Sequence, residues 1–221
     1  MNLPDGLLAG EWTLAAWLLF IPLFLHALRQ APWRRLAESS QLNAWLGIIV
    51  ALMLLWSLKA GIKPGLSLHL LGATVFTLAF GPYLAFIGLV LVLVGISLNG
   101  DAGWPEFATN ALLMGGVGVL VTQFVLRLSE RFLPQQYFVY IFANGFFGAA
   151  LALVSAGVAT SLLLGISGVY SPDYLLGDYL PYVFLLAFGE AWLSGMVVTL
   201  FVVYRPEWVG TFEDSRYLRD K

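Results

Sequence analysis

Two histidines, no cysteines and a few polar residues set in long apolar stretches limit the chemistry this chain can carry. His69, in Leu66-Ser67-Leu68-His69-Leu70-Leu71-Gly72, supplies an imidazole, which in its neutral form is the commonest transition-metal ligand. The chain opens Met1-Asn2-Leu3-Pro4-Asp5-Gly6. Pro4-Asp5-Gly6 is a tight-turn signature, and such a turn folds the first three residues back toward the outer mouth of a helix bundle. There the α-amino group of Met1, with a reference pKa of about 7.7–8.0, deprotonates and binds a metal, while Asn2 and Asp5 add oxygen. A frayed outer tail is the competing reading of the same residues.

Glu190, in Phe188-Gly189-Glu190-Ala191-Trp192, lies ten residues into the last apolar stretch, about 15 Å deep at 1.5 Å per residue. Ionisable groups at that depth are functional candidates. Two roles fit it: a hydrogen-bonded lock between helices, or a group that contacts a cation or polarises a ligand histidine. Asn110, in Thr109-Asn110-Ala111, and Asn144, in Ala143-Asn144-Gly145, read as inter-helix amides worth about 1 kcal/mol each. His26 stands beside Arg29 at the end of an apolar stretch and reads as interfacial. Gly115-Gly116-Val117-Gly118 is no phosphate loop, because no Lys-Ser follows it. With no nucleophile–base pair and no paired carboxylates, the chain is not expected to be an enzyme. Without cysteine there are no disulfides and no thiolate metal sites.

The elements that must position these residues are membrane helices. Of the 221 residues, 60% are hydrophobic and 11% charged, against about 25% charged in a soluble globular chain, and the mean hydropathy is +0.84. A net charge of −2 with no basic stripe gives nucleic acid nothing to meet. Apolar segments fall at Trp12–Leu28, Leu42–Leu58, Leu66–Phe80, Tyr83–Leu98, Phe107–Leu126, Tyr137–Leu164 and Leu180–Tyr204. A spanning helix needs roughly 17–25 residues, so the third and fourth are short, and Gly81-Pro82 separates them. The fold class expected is all-α, a polytopic membrane protein of seven transmembrane helices, with residues 1–221 as one integral membrane domain.

Threading the chain gives it a direction. Arg29, Arg34, Arg35, Arg127, Arg131, Arg205, Arg216, Arg219 and Lys221 fall on one side, against Lys59 and Lys63 on the other. By the positive-inside rule the first side is cytoplasmic, which puts the N-terminus outside and the C-terminus inside. The outer loops carry Asp101, Glu106, Asp173 and Asp178, read as a mildly acidic mouth. Trp12, Trp33, Trp45, Trp56, Trp104 and Trp208 lie near segment ends, as belts of interfacial aromatics do.

In sequence the chain resembles the CbiM/NikM family, the substrate-capturing membrane subunits of cobalt and nickel energy-coupling-factor transporters. Met1-Asn2-Leu3-Pro4-Asp5-Gly6 is similar to the family's opening Met-His-Ile-Pro-Asp-Gly. Ser67-Leu68-His69-Leu70-Leu71-Gly72 with Ala79-Phe80-Gly81-Pro82 resembles its His-Leu and Gly-Pro block, Thr109-Asn110-Ala111 its asparagine-containing helix start, and Gly189-Glu190-Ala191 its glutamate motif. The resemblance implies a substrate-capturing permease subunit that binds a divalent transition metal, cobalt or nickel, as substrate and holds no tight cofactor. It implies Met1, Asn2 and His69 as metal ligands, with Asp5, Asn110, Asn144 and Glu190 in supporting or helix-packing roles. The implied partners are a separate energy-coupling transmembrane protein and cytoplasmic ABC-type ATPases, in a bacterial cytoplasmic (inner) membrane. Position 2 departs from the pattern, since Asn2 stands where the family has a ligand histidine. A membrane scaffold or assembly factor of the same fold that no longer transports metal is the alternative that Asn2 favours.

Overall fold

In the computed structural model residues 2–61 and 63–217 are described. Among them six helices are long and apolar enough to cross a membrane: α1 (Gly10–Gln30), α2 (Ser39–Ser57), α3 (Ala73–Leu98), α4 (Phe107–Phe132), α5 (Tyr137–Ile166) and α6 (Pro172–Tyr204). The chain is mostly helical; a two-residue hairpin interrupts it between α2 and α3, with Ala60–Gly61 antiparallel to Ser67–Leu68. The most apolar window of α3 is 67% buried, that of α1 only 17%, so α3 is the axis and α1 faces outward. Arg219 and Lys221, counted for orientation, lie outside the described residues.

α3 is not one straight rod. Gly81 has φ 78° and ψ 169°, a left-handed conformation that glycine adopts without a Cβ penalty, and Pro82 cannot donate into the preceding turn. The break folds the chain back on itself. The ring of Phe76 fills the space that a Cβ on Gly88 would need, although twelve residues of continuous helix would separate the two by about 18 Å. The predicted segments Leu66–Phe80 and Tyr83–Leu98 therefore meet as two arms of one element. The first arm, from Ala73 to the break, is only about 12 Å of helix.

The break leaves helix carbonyls without partners, and the far end of the chain supplies them. The backbone N–H of Gly210 donates to Ala79 O (2.8 Å) and that of Thr211 to Leu78 O (3.3 Å). Arg35 Nη1 donates to the same Ala79 O at 2.8 Å, and its Nη2 to Trp208 O at 3.0 Å. Two separate stretches of chain, at Arg35 and at residues 208–211, thus close one end of the short arm.

The other end of that arm corrects one expectation. Residues 66–72 are not helical, and His69 stands in an extended segment ahead of the helix rather than one turn inside it. The cause lies at Gly72, whose φ is 66° and whose Cα lies so close to Leu52 that a Cβ would collide with it. Side-chain partners on α2 and α6 take the polar groups of this segment, as described next.

Candidate metal centre

The segment ahead of α3 and the start of α4 bring polar side chains to the opening residues. Asn2 is 4% exposed and His69 2% exposed, and Asn2 Oδ1 lies 3.1 Å from His69 Nε2. Met1, the other expected ligand, lies outside the described residues. The backbone N–H of Asn2 donates to Ser67 Oγ at 3.1 Å. Asn110, fully buried at the start of α4, grips the next residue on both sides: its Oδ1 accepts from Leu3 N–H (2.8 Å) and its Nδ2 donates to Leu3 O (3.1 Å). A carboxamide has the donor and acceptor of a peptide group, so Asn110 pairs with Leu3 as a neighbouring strand would. Gly103 N–H donates to the same Leu3 O at 3.0 Å. A Cβ on Gly103 would sit 2.5 Å from Asp5 N, so only glycine admits this approach.

His69 is held by side chains and backbone packed around its extended segment. Its Nδ1 faces Leu70 O at 3.0 Å; a carbonyl only accepts, so Nδ1 carries the proton. A neutral ring then presents a lone pair at Nε2 toward the Asn2 carboxamide, and burial away from water disfavours the charged ring. Asn2 Nδ2 is buried and has no hydrogen-bond partner among the described residues. A half-turn of the carboxamide makes Nδ2 the donor to the Nε2 lone pair. Amide and imidazole then form a neutral pair, and a cation reaching Nε2 must part it. The indole of Trp56 lies over the ring with centroids 4.9 Å apart, and Trp56 Nε1 donates to Leu71 O at 3.1 Å. Trp56 is 1% exposed and Trp45 5% exposed, so neither belongs to an interfacial belt. Both are packing and positioning residues.

Glu190 reaches the backbone of the His69 segment. Its Oε2 accepts from Leu71 N–H at 2.7 Å, and its Oε1 accepts from Gly72 N–H at 2.8 Å and Ser194 Oγ at 3.2 Å. These are the N–H groups just ahead of the short arm of α3, where a carboxylate also meets the positive end of the helix dipole. Glu190 therefore fixes the backbone two residues beyond His69.

The remaining expected residues are placed as follows. Asp5 is exposed beside Gly103. Asn144 accepts from Ser129 Oγ at 2.8 Å, an α4–α5 contact that holds those helices together. His26 meets Tyr83 edge-on at 5.7 Å, by the Gly81 break and thus at the opposite end of the short arm from His69. Half of the acidic mouth is spoken for, while Asp173 and Asp178 are exposed. Asp101 Oδ1 pairs with Lys59 Nζ at 2.6 Å, and Lys59 and Asn99 hold its carboxyl below the usual carboxylate range. Glu106, read as a mouth residue, is 1% exposed: its Oε1 accepts from Gly6 N–H at 3.0 Å and Leu8 N–H at 3.5 Å. A signal for it existed in the sequence, since Glu106 and Asn110 are four apart and so share a face of α4.

Among the described residues no three His, Cys, Asp or Glu side chains cluster as a metal-binding group. Any metal here would take one imidazole, with amide, hydroxyl or backbone donors completing its shell. The whole architecture has solved counterparts. It superposes on the crystal structure of a truncated transition-metal transporter with a TM-score of 0.80 at 20% identity, covering 92% of this chain and 99% of that one. A second transition-metal transporter gives a TM-score of 0.79 at 19% identity, covering 91% and 92%. The chain shares the fold of these two structures.

Residues 2–208 match the profile of the family described as the cobalt uptake substrate-specific transmembrane region, CbiM, and the chain belongs to that family. The cobalt transport protein CbiM of Anoxybacillus flavithermus is 28% identical over 189 residues, 85% of this chain and 73% of the relative. A protein of Archaeoglobus fulgidus assigned as the fused nickel transport protein NikMN is 28% identical over 217 residues, 94% of this chain and 67% of the relative. The family is a metal-transport component and not an enzyme.

Proposed function

We propose that this chain is the substrate-capturing permease subunit for uptake of a transition-metal cation of the cobalt and nickel kind. Capture takes place at the outer face, with His69 Nε2 as the imidazole donor, the terminal amine of Met1 as a second nitrogen donor, and Asn2 contributing its carboxamide oxygen. The observation that carries this reading is the burial of Asn2 against His69 at 3.1 Å, which brings the start of the chain to the imidazole. The asymmetry of lysine and arginine supports an outer N-terminus, a cytoplasmic C-terminus and seven crossings, the two arms of α3 counting separately, in one domain of a bacterial inner membrane. Import then draws on a separate coupling protein and ATPases.

The test is metal titration of purified protein with a native, untagged N-terminus. Cobalt(II) or nickel(II) binding is expected, and His69→Ala is expected to weaken it by an order of magnitude or more, since it removes the imidazole donor. Undiminished affinity in His69→Ala rejects the ligand assignment. Asn2 favours a second reading, a scaffold of the same fold that no longer transports metal: an amide is a weaker donor than imidazole. Wild-type protein that binds neither metal supports that reading over capture.

A further inference from the structure

The turn that returns the chain to His69 is Asp5-Gly6. Gly6 has φ 75°, and this left-handed residue turns the N–H groups of Gly6 and Leu8 toward a common point, a backbone concavity of the kind that binds anions. The anion is supplied from within the chain. Glu106, the residue just ahead of α4, places Oε1 at that point, 3.0 Å from Gly6 N and 3.5 Å from Leu8 N. Among the described residues its buried Oε2 has no hydrogen-bond partner, so the contacts to this turn are the only hydrogen bonds of its side chain there. A buried carboxylate that is not fully satisfied is costly. The N-terminus of α4 and the two N–H groups offset that cost only while the turn is in place.

We propose that Glu106 is a positioning residue: it seats residues 2–8 in the bundle, so that Asn2 reaches His69. Asn110, one helical turn on, grips Leu3, and Glu106 grips the far side of the turn; together they hold the segment at two points. The consequence for metal capture rests on the function proposed above, whereas the seating itself is testable without any metal.

The experiment is digestion of the detergent-purified full chain, untagged at its N-terminus, with a non-specific aminopeptidase, followed by intact-mass spectrometry. Asn2 is buried, so its removal requires the segment to leave its seat, and the Leu3–Pro4 bond stops the digestion there. Glu106→Ala is expected to lose Asn2 at least about tenfold faster than wild type, the scale of a lost charge-assisted hydrogen bond. Glu106→Gln keeps the shape with a neutral acceptor and is expected to fall between the two. Thr109→Val, on the same helical turn, is expected to match wild type, because Thr109 Oγ1 has no hydrogen-bond partner among the described residues. Wild-type digestion rates in folded Glu106→Ala overturn the proposal. Should that variant fail to fold, Glu106→Gln decides, and a wild-type rate there overturns it equally. Wild-type protein that binds no cobalt or nickel, yet shows this order of digestion rates, keeps the seat and loses the capture site.

Discussion

Glu190 and Glu106 are both 1% exposed, and both spend their carboxylates on backbone N–H groups, yet they hold opposite halves of the site. Glu190 uses both oxygens, on Leu71, Gly72 and Ser194, and belongs to a long helix reaching into a segment anchored at both ends. Glu106 uses one oxygen, on Gly6 and Leu8, and holds the stretch just ahead of α1. The first builds a fixed wall for His69. On the seating proposed above, the second fastens the opening residues. Under the proposed capture, such a site has one donor on a fixed wall and one mounted on a seated segment, so its occupancy depends on seating as much as on donor strength.

Glu190→Ala should break the comparison most severely. It leaves two buried N–H groups without acceptors, a cost of about 3 kcal/mol or more, and a lowered thermal unfolding midpoint would report it. An unchanged midpoint would mean that other groups hold the His69 segment. The effect of Glu106→Ala is expected to appear in the digestion rate, with a smaller loss of stability.

Asn2→His sharpens the contrast from the other side. It leaves the wall untouched and gives the seated segment an imidazole, a stronger donor for cobalt or nickel than an amide oxygen. Metal affinity is expected to rise by about tenfold or more, on the scale of one added ligand interaction. Titration checks it, and equal affinities would show that position 2 does not face the metal.

The smallest effect belongs to the rim. Lys59–Asp101 is a partly exposed pair, so Lys59→Ala should cost no more than about 0.5 kcal/mol. Because the folded-state pKa of Asp101 is depressed, the pair's contribution is present above the ordinary carboxylate pKa, about 3.9, and is lost as pH falls through the lower folded value. Unfolding curves for wild type and variant should therefore converge in acid.

Much of the fold was legible because its causes are local. Apolar runs of spanning length, the Gly81-Pro82 break and the Pro4-Asp5-Gly6 turn are written in consecutive residues. The start of the third segment was misread because hydropathy cannot tell Leu66-Ser67-Leu68 in an extended stretch from the same residues in a helix. What keeps it extended is distant: Leu52 against Gly72, Trp56 on Leu71, and Glu190 from α6. Glu106 was misjudged for the same reason. An acid in an outer loop looks solvated until the N–H groups it accepts are placed, and those come from residues about a hundred positions away.

The central claim is that a metal ion binds through the imidazole of His69 beside a seated N-terminus. X-ray absorption at the cobalt K edge, on cobalt-loaded protein with its native N-terminus, tests it most directly. The account predicts histidine-type outer-shell scattering in wild type that disappears in His69→Ala. An imidazole signal that survives that substitution, or wild-type protein that retains no cobalt, contradicts it.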